Sequence, residues 1–411
     1  MNIYLILVLV FYVGFFLFDV LVDVLNVKCV STQVPDEFVG IYDADRYSKS
    51  QLYLRETTRF SMIQHCFMGV VVVCCILLGG FNVLDVWVRG FGFSELITGV
   101  VYMLGLGLLM GVLSLPFSLY STFVIEEKYG FNKTTFSTFF GDLLKSLLIM
   151  AIIGSLLLFG VLWFFTYFGA QGWLYVCVFI VCVQLFLMYI APTVIMPLFN
   201  KFEAVEEGEL RDKIMTYAKK HEFALAGVYK MDGSKRSSKS NAFFTGFGKQ
   251  RRIVLFDTLI EKHTTDELLA VLAHEMGHYK LKHIHKMVSV SIISSFVMFY
   301  IFSLFINNEG LAQAFQMKQA SLYTSLIFFG FLYQPISVVL GIASQLLSRK
   351  HEFEADAFAV RTTGLADDMV MALKRLSVDN LSNLTPHWLK VFVEYSHPPV
   401  LERIKAIRRL G

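Results

Sequence analysis

This sequence predicts an all-α polytopic membrane protein: seven transmembrane helices, with a small α+β domain on the cytoplasmic face. Three observations lead there. Of 411 residues, 55% are hydrophobic and 17% charged, with 40 Phe and a mean hydropathy of +0.59; soluble domains run near a quarter charged. Seven apolar stretches reach the roughly 20 residues that a helix needs to cross a bilayer. The remaining polar sequence collects in two blocks, Phe199–Lys286 and Ser348–Gly411.

In chain order the spans fall near Asn2–Val22, Ser61–Val86, Leu96–Leu119, Leu143–Phe168, Trp173–Pro197, Met287–Ile306 and Leu322–Leu347. No basic segment precedes the first and no small-residue cleavage site follows it, so it reads as a retained span and not a signal peptide. Charge tests the count. With seven spans, only Arg89 and Lys318 of the 36 Lys and Arg fall in loops of the opposite face. Positive residues mark the cytoplasmic side, so the N-terminus is expected outside and the C-terminus in the cytoplasm. The basic residues are interleaved with acids, for a net charge of +3, and nothing suggests nucleic-acid binding or an obligate protein partner. The six cysteines lie mostly inside spans without paired spacing, and read as small buried apolar residues.

Residues 1–198 therefore hold spans one to five, 287–347 hold spans six and seven, and 199–286 and 348–411 are the two polar parts. The first polar part opens with a helical pattern at Leu210, Ile214, Tyr217 and Ala218. Short strands are expected at Val228–Met231, Asn241–Thr245 and Arg252–Phe256. Thr264 to Glu267 then reads as an N-terminal capping box before the apolar run Leu268, Leu269, Val271, Leu272. If this helix continues unbroken from His274 to Met287, its metal site lies about 20 Å from span six.

That helix carries His274-Glu275-Met276-Gly277-His278. Positions i and i+4 share a helix face, so both imidazoles can ligate one Zn²⁺. Glu275, beside the first ligand, can take a proton from the attacking water as general base. A catalytic zinc needs a third protein ligand. The second polar block supplies Glu352 directly after span seven. Asp356, one turn on, can orient a ligating imidazole by hydrogen bonding. Glu354 points elsewhere and is expected at the surface.

Further blocks surround this motif: Leu115-Pro116-Phe117-Ser118-Leu119-Tyr120, Phe123-Val124-Ile125-Glu126-Glu127, Gly130-Phe131-Asn132-Lys133, Pro197-Leu198-Phe199-Asn200-Lys201-Phe202 and Asp232 to Ala242. Tyr395-Ser396-His397-Pro398-Pro399 and Glu402-Arg403 close the series. In this order they resemble the type I CAAX prenyl proteases, integral-membrane gluzincin zinc metalloproteases, from about Ser50 to Ala406. The resemblance implies a barrel of seven helices around an intramembrane chamber, closed on the cytoplasmic side by the metalloprotease domain. It implies one zinc per chain, with Glu352 as third ligand. It implies that Asn241, His397 and Arg403 contact substrate, with His397 also serving catalysis. The implied partners are membrane lipid and a polypeptide substrate, prenylated or otherwise lipid-modified, lying along an edge strand near Asn241–Thr245. The compact loops lead us to expect a bacterial member in the inner membrane. Two other readings compete: a quality-control metalloprotease of the heat-shock type, which usually has fewer spans, and a seven-helix transporter with a vestigial zinc site. The latter calls for charges inside the spans, whereas Asp19, Asp23 and Asp85 lie near span ends.

Overall fold

A computed structural model describes residues 2–223, 225–245 and 251–410 of the chain. Among these, seven helices are long and apolar enough to cross a membrane: Ile3–Lys28, Ala44–Leu77, Glu95–Tyr129, Phe136–Phe168, Gly172–Leu198, His283–Ser303 and Leu322–Thr363. Each packs on the next in sequence, and the seventh returns to the first, so the helices form a closed ring. In no span is more than 17% of the most apolar segment buried. Helices of a solid bundle would each bury an apolar stripe; these are the walls of a hollow barrel.

The barrel has two distinct ends. Asn2 Nδ2 donates to Gly310 O (2.6 Å), and Lys318 N donates to Asn82 Oδ1 (3.0 Å), joining the N-terminus to the loops after spans two and six. At this end Val88, Tyr102, Leu162 and Tyr323 pack into a buried cluster. The buried Asp85 carboxylate beside them accepts from Arg89 Nε (3.0 Å) and from the Tyr323 hydroxyl. Its charge is thus satisfied locally, as a buried ion must be, and a structural role accounts for it. At the opposite end Lys390 meets Asp23 (2.7 Å) and Arg408 meets Glu37 (2.8 Å), tying the C-terminal segment to the loop after span one.

Two helix breaks and the burial of the cysteines differ from what was read in the sequence. Span two does not run to Val86. It stops at Leu77, because Gly79 adopts a left-handed φ of +72° that breaks the ladder, and Gly80–Arg89 starts a separate helix. Lys282 does the same after the histidine motif, with φ 58°: the capped helix Thr265–Lys280 ends, and span six begins at once with His283. No continuous helix joins His274 to Met287. Of the cysteines only Cys177 is buried by protein; Cys66, Cys74 and Cys182 are exposed on span surfaces, where a bilayer can cover their small apolar side chains.

The polar part between spans five and six holds a four-stranded sheet of order β1-β2-β4-β3, with β1 Phe202–Ala204, β2 Gly227–Met231, β3 Ala242–Thr245 and β4 Arg252–Phe256. β2 and β4 are parallel, while β1 and β3 run antiparallel to their neighbours. The short β1 has no apolar alternation and was not evident in the sequence. β3 is an edge strand. Val228, Ile253 and Leu255 of the sheet pack on Leu268 and Leu272 of the capped helix, which fixes the motif's orientation.

Candidate active site

The capped helix starts as the sequence indicates: Thr264 accepts from Glu267 N, and Glu267 returns to the Thr264 backbone. Two exposed-end donors are thereby satisfied, and the apolar face docks between the sheet and the extension of span seven. That extension sets the geometry. The 42-residue helix Leu322–Thr363 is about 63 Å long at 1.5 Å per residue, roughly twice the hydrocarbon thickness. It therefore carries Glu352 and Asp356 out of the membrane on one rigid rod. Gly277 lets the two helices meet, since a Cβ there would lie 3.2 Å from Ala355 Cα and 3.1 Å from the Phe358 ring.

Across this contact His274 Nε2 and His278 Nε2 stand 3.1 Å apart. Glu352 Oε2 is 3.5 Å from the first, and Oε1 is 3.3 Å from the second. One donor atom from each residue falls within 4.8 Å of the others, a set able to hold a metal ion. The buried Glu352 Oε2 makes no hydrogen bond. Arg403 Nη1 approaches it at 3.3 Å, but the two imidazole nitrogens and the carboxylate that converge here are the donor set a catalytic zinc takes, so the residues present fit zinc. The charge pattern agrees. Burial alone would push the His274 imidazole down, but the Asp356 and Glu352 carboxylates outweigh it and raise it to about 9. In the absence of metal a proton supplies the missing positive charge.

Asp356 accepts from His274 Nδ1–H at 2.8 Å. Arg403, expected to contact substrate, is turned inward in the structure. It is buried among acids: Nε and Nη2 donate to Asp356 (2.8 and 2.6 Å), and Nη1 lies 3.3 Å from Glu352. Its guanidinium is held charged by those carboxylates against the burial that opposes it. Glu354 is likewise not simply at the surface, since its Oε2 accepts from His283 Nε2 at 3.0 Å.

Glu275 lies on the open side of the motif. Burial raises its carboxyl above the ordinary range, and it borders a cavity of about 470 Å³ together with His278, Phe243 and Phe244 of β3, and Met287 of span six. A neighbouring apolar cavity of about 450 Å³ is lined by Met188, Pro192, Met196, Phe243 and Tyr279. His397 reaches over the site from the Tyr395–Pro399 loop, with Nε2 3.5 Å from Glu352 Oε1 and a largely exposed ring. Asn241 is exposed at the head of β3, where its Oδ1 accepts from Ala242 N (2.9 Å). Sequence reasoning missed Gly277, His283 and the inward role of Arg403. A third histidine five residues after the motif was the one signal available.

Paired imidazoles, a carboxylate and an adjacent acid on the open side constitute hydrolytic metal chemistry. Here they sit at the mouth of a membrane barrel, which makes the class an integral-membrane metalloprotease. Comparison with known proteins places the chain within that class. Residues 23–201 match the CAAX prenyl protease N-terminal region of five membrane helices, and residues 204–410 match peptidase family M48. The chain belongs to family M48 and is an integral-membrane zinc metalloprotease that hydrolyses peptide bonds. It is 37% identical to CAAX prenyl protease 1 homolog of Mus musculus, over 92% of this chain and 89% of that one. With the Arabidopsis thaliana homolog it shares 33% identity over 97% and 96% of the two chains. The crystal structure of S. mikatae Ste24p superposes with a TM-score of 0.94, at 32% identity and 99% coverage of each chain. A plant relative of nearly equal extent means that compactness does not single out bacterial members.

Proposed function

We propose that the enzyme holds one zinc between His274, His278 and Glu352 and cleaves near the C-terminus of prenylated membrane polypeptides. The observation that carries this reading is the buried His-His-Glu site opening both to an edge strand and to apolar cavities beside spans five and six. When bound, zinc supplies Lewis acidity, polarising a carbonyl and acidifying water. The chain supplies the rest. The exposed edge of β3 pairs with the substrate backbone, with Asn241 at its head holding the register. Glu275 takes the proton of the attacking water and passes it to the leaving amine. His397 donates to the oxygen on which charge develops, and His397→Ala should lower kcat with zinc content unchanged. Arg403 acts through Asp356 and Glu352, keeping both carboxylates in place.

The apolar cavities would take the lipid, which favours this reading over a quality-control protease without prenyl specificity. Because the relatives compared are eukaryotic, we place the enzyme in a eukaryotic intracellular membrane, the endoplasmic reticulum first, with the zinc site on the cytoplasmic side. The test is a peptide ending in a CAAX sequence, offered to purified enzyme with and without a farnesyl group. Release of the last three residues from the farnesylated form alone is expected. Equal turnover of both forms would transfer the enzyme to the quality-control class.

A further inference from the structure

Each imidazole of the metal site must present its Nε2 to the metal with the opposite nitrogen protonated, and something must hold that N–H. For His274 the partner is Asp356, clamped by Arg403. For His278 no carboxylate is in position. Its Nδ1 instead faces His283 Nδ1 at 3.1 Å. His283 is buried, at 2% exposure, and the left-handed turn at Lys282 folds it back over the motif at the first residue of span six. Its other nitrogen, Nε2, lies 3.0 Å from Glu354 Oε2, and its ring stacks on His351 with centroids 4.0 Å apart and planes 10° apart.

We propose that His283 and Glu354 form a second orienting arm of the metal site, in which His278 Nδ1–H donates to His283 Nδ1 and His283 Nε2–H donates to Glu354. The proton count permits only this direction. A ligating His278 carries hydrogen on Nδ1, so His283 Nδ1 must be the acceptor, and a neutral imidazole then carries its proton on Nε2. Glu354 accepts that proton's hydrogen bond and fixes the tautomer. Both ligating imidazoles are thus tied to carboxylates of the same helix, His274 directly to Asp356 and His278 through His283 to Glu354. Span seven thereby sets the third ligand and the rotation of the other two.

The same His283, together with His351 and Glu354, brings three donor atoms within 4.8 Å, a set that could take a cation of its own. The two uses exclude each other. A metal on His283 Nε2 would leave its proton on Nδ1, pointing at the N–H of His278. The 3.1 Å contact favours the relay.

The proposal rests on His278 being a metal ligand, so His278→Ala is the control and must itself lose zinc. The readouts are zinc affinity by chelator competition and the visible spectrum of the cobalt-substituted full-length protein. His283→Phe keeps the ring on His351 and removes both nitrogens. It should weaken zinc binding about 10–100-fold, the usual cost of losing such a partner, and shift the cobalt bands. His283→Asn restores an acceptor near the Nδ1 position and should recover part of the affinity. Glu354→Leu, at a partly exposed position, should weaken zinc in the same direction and carries the test if His283→Phe does not fold. Wild-type affinity and spectrum in both His283→Phe and Glu354→Leu would overturn the relay. So would a loss that His283→Asn does not recover at all, which assigns His283 to packing. Two zinc ions per chain, falling to one in His351→Ala, would make the cluster a second metal site and overturn it equally. If His278→Ala keeps its zinc, the ligand set fails instead.

Discussion

At the residue scale, the sequence was most informative where chemistry and spacing coincide. His274, Glu275 and His278 form a local pattern with one physical meaning, and Glu352 followed from the need for a third ligand on the same membrane face. Arg403 and His283 carry no such pattern, because their partners lie 47 and 71 residues away in the chain for Asp356 and Glu354. The electrostatics of the site give a prediction. The metal-free fold binds a proton on His274 up to about pH 9, more tightly than a free imidazole near 6.5 does. That proton stabilises the metal-free fold fully below about pH 6.5, and the contribution is lost as pH rises through about 9. Zinc must displace it, so apparent zinc affinity should climb about tenfold per pH unit toward pH 9. Chelator competition at several pH values measures the slope, and a flat profile would show that His274 gives up no proton to the metal.

At the scale of elements, hydropathy located all seven spans, since bilayer thickness dictates their length. It placed their ends less well. Span two and the capped helix both stop at left-handed residues, Gly79 and Lys282, and a lysine gives no warning of such a turn. The catalytic helix was legible from its capping box, whereas its approach to span seven depends on Gly277, whose environment no local pattern displays. Gly277→Ala would set a methyl against Ala355 and Phe358 at 3.1–3.3 Å. Relief means separating the helices, at about 1–3 kcal/mol for overpacking of this kind, and moving Glu352 away from the imidazoles. Lower thermal stability and weaker zinc binding should appear together. Unchanged zinc affinity in a destabilised protein would mean that the ligand geometry does not depend on this contact.

At the scale of the whole molecule, the charge asymmetry of the loops anticipated the two ends of the barrel. Asn2 contacts Gly310 at one end, and Lys390 contacts Asp23 at the other. Reporters at the C-terminus and near Lys235 should read as cytoplasmic, and reporters near Gly90 and Asn308 as the opposite face. Lys235 and the C-terminus on different faces would be incompatible with Glu352 meeting His274. What the sequence could not display is the hollow interior, because apolar residues facing lipid and apolar residues facing a chamber have the same composition.

The central claim is that Glu275, held beside a His274–His278–Glu352 zinc site, performs the proton transfer of peptide hydrolysis. Turnover of a farnesylated CAAX peptide by Glu275→Gln, with zinc content measured on the same sample, tests it most directly. One zinc per chain is expected to remain while kcat falls at least about 10²–10⁴-fold, the contribution of a positioned general base. Zinc at one per chain with kcat near that of the unmodified enzyme would contradict the claim.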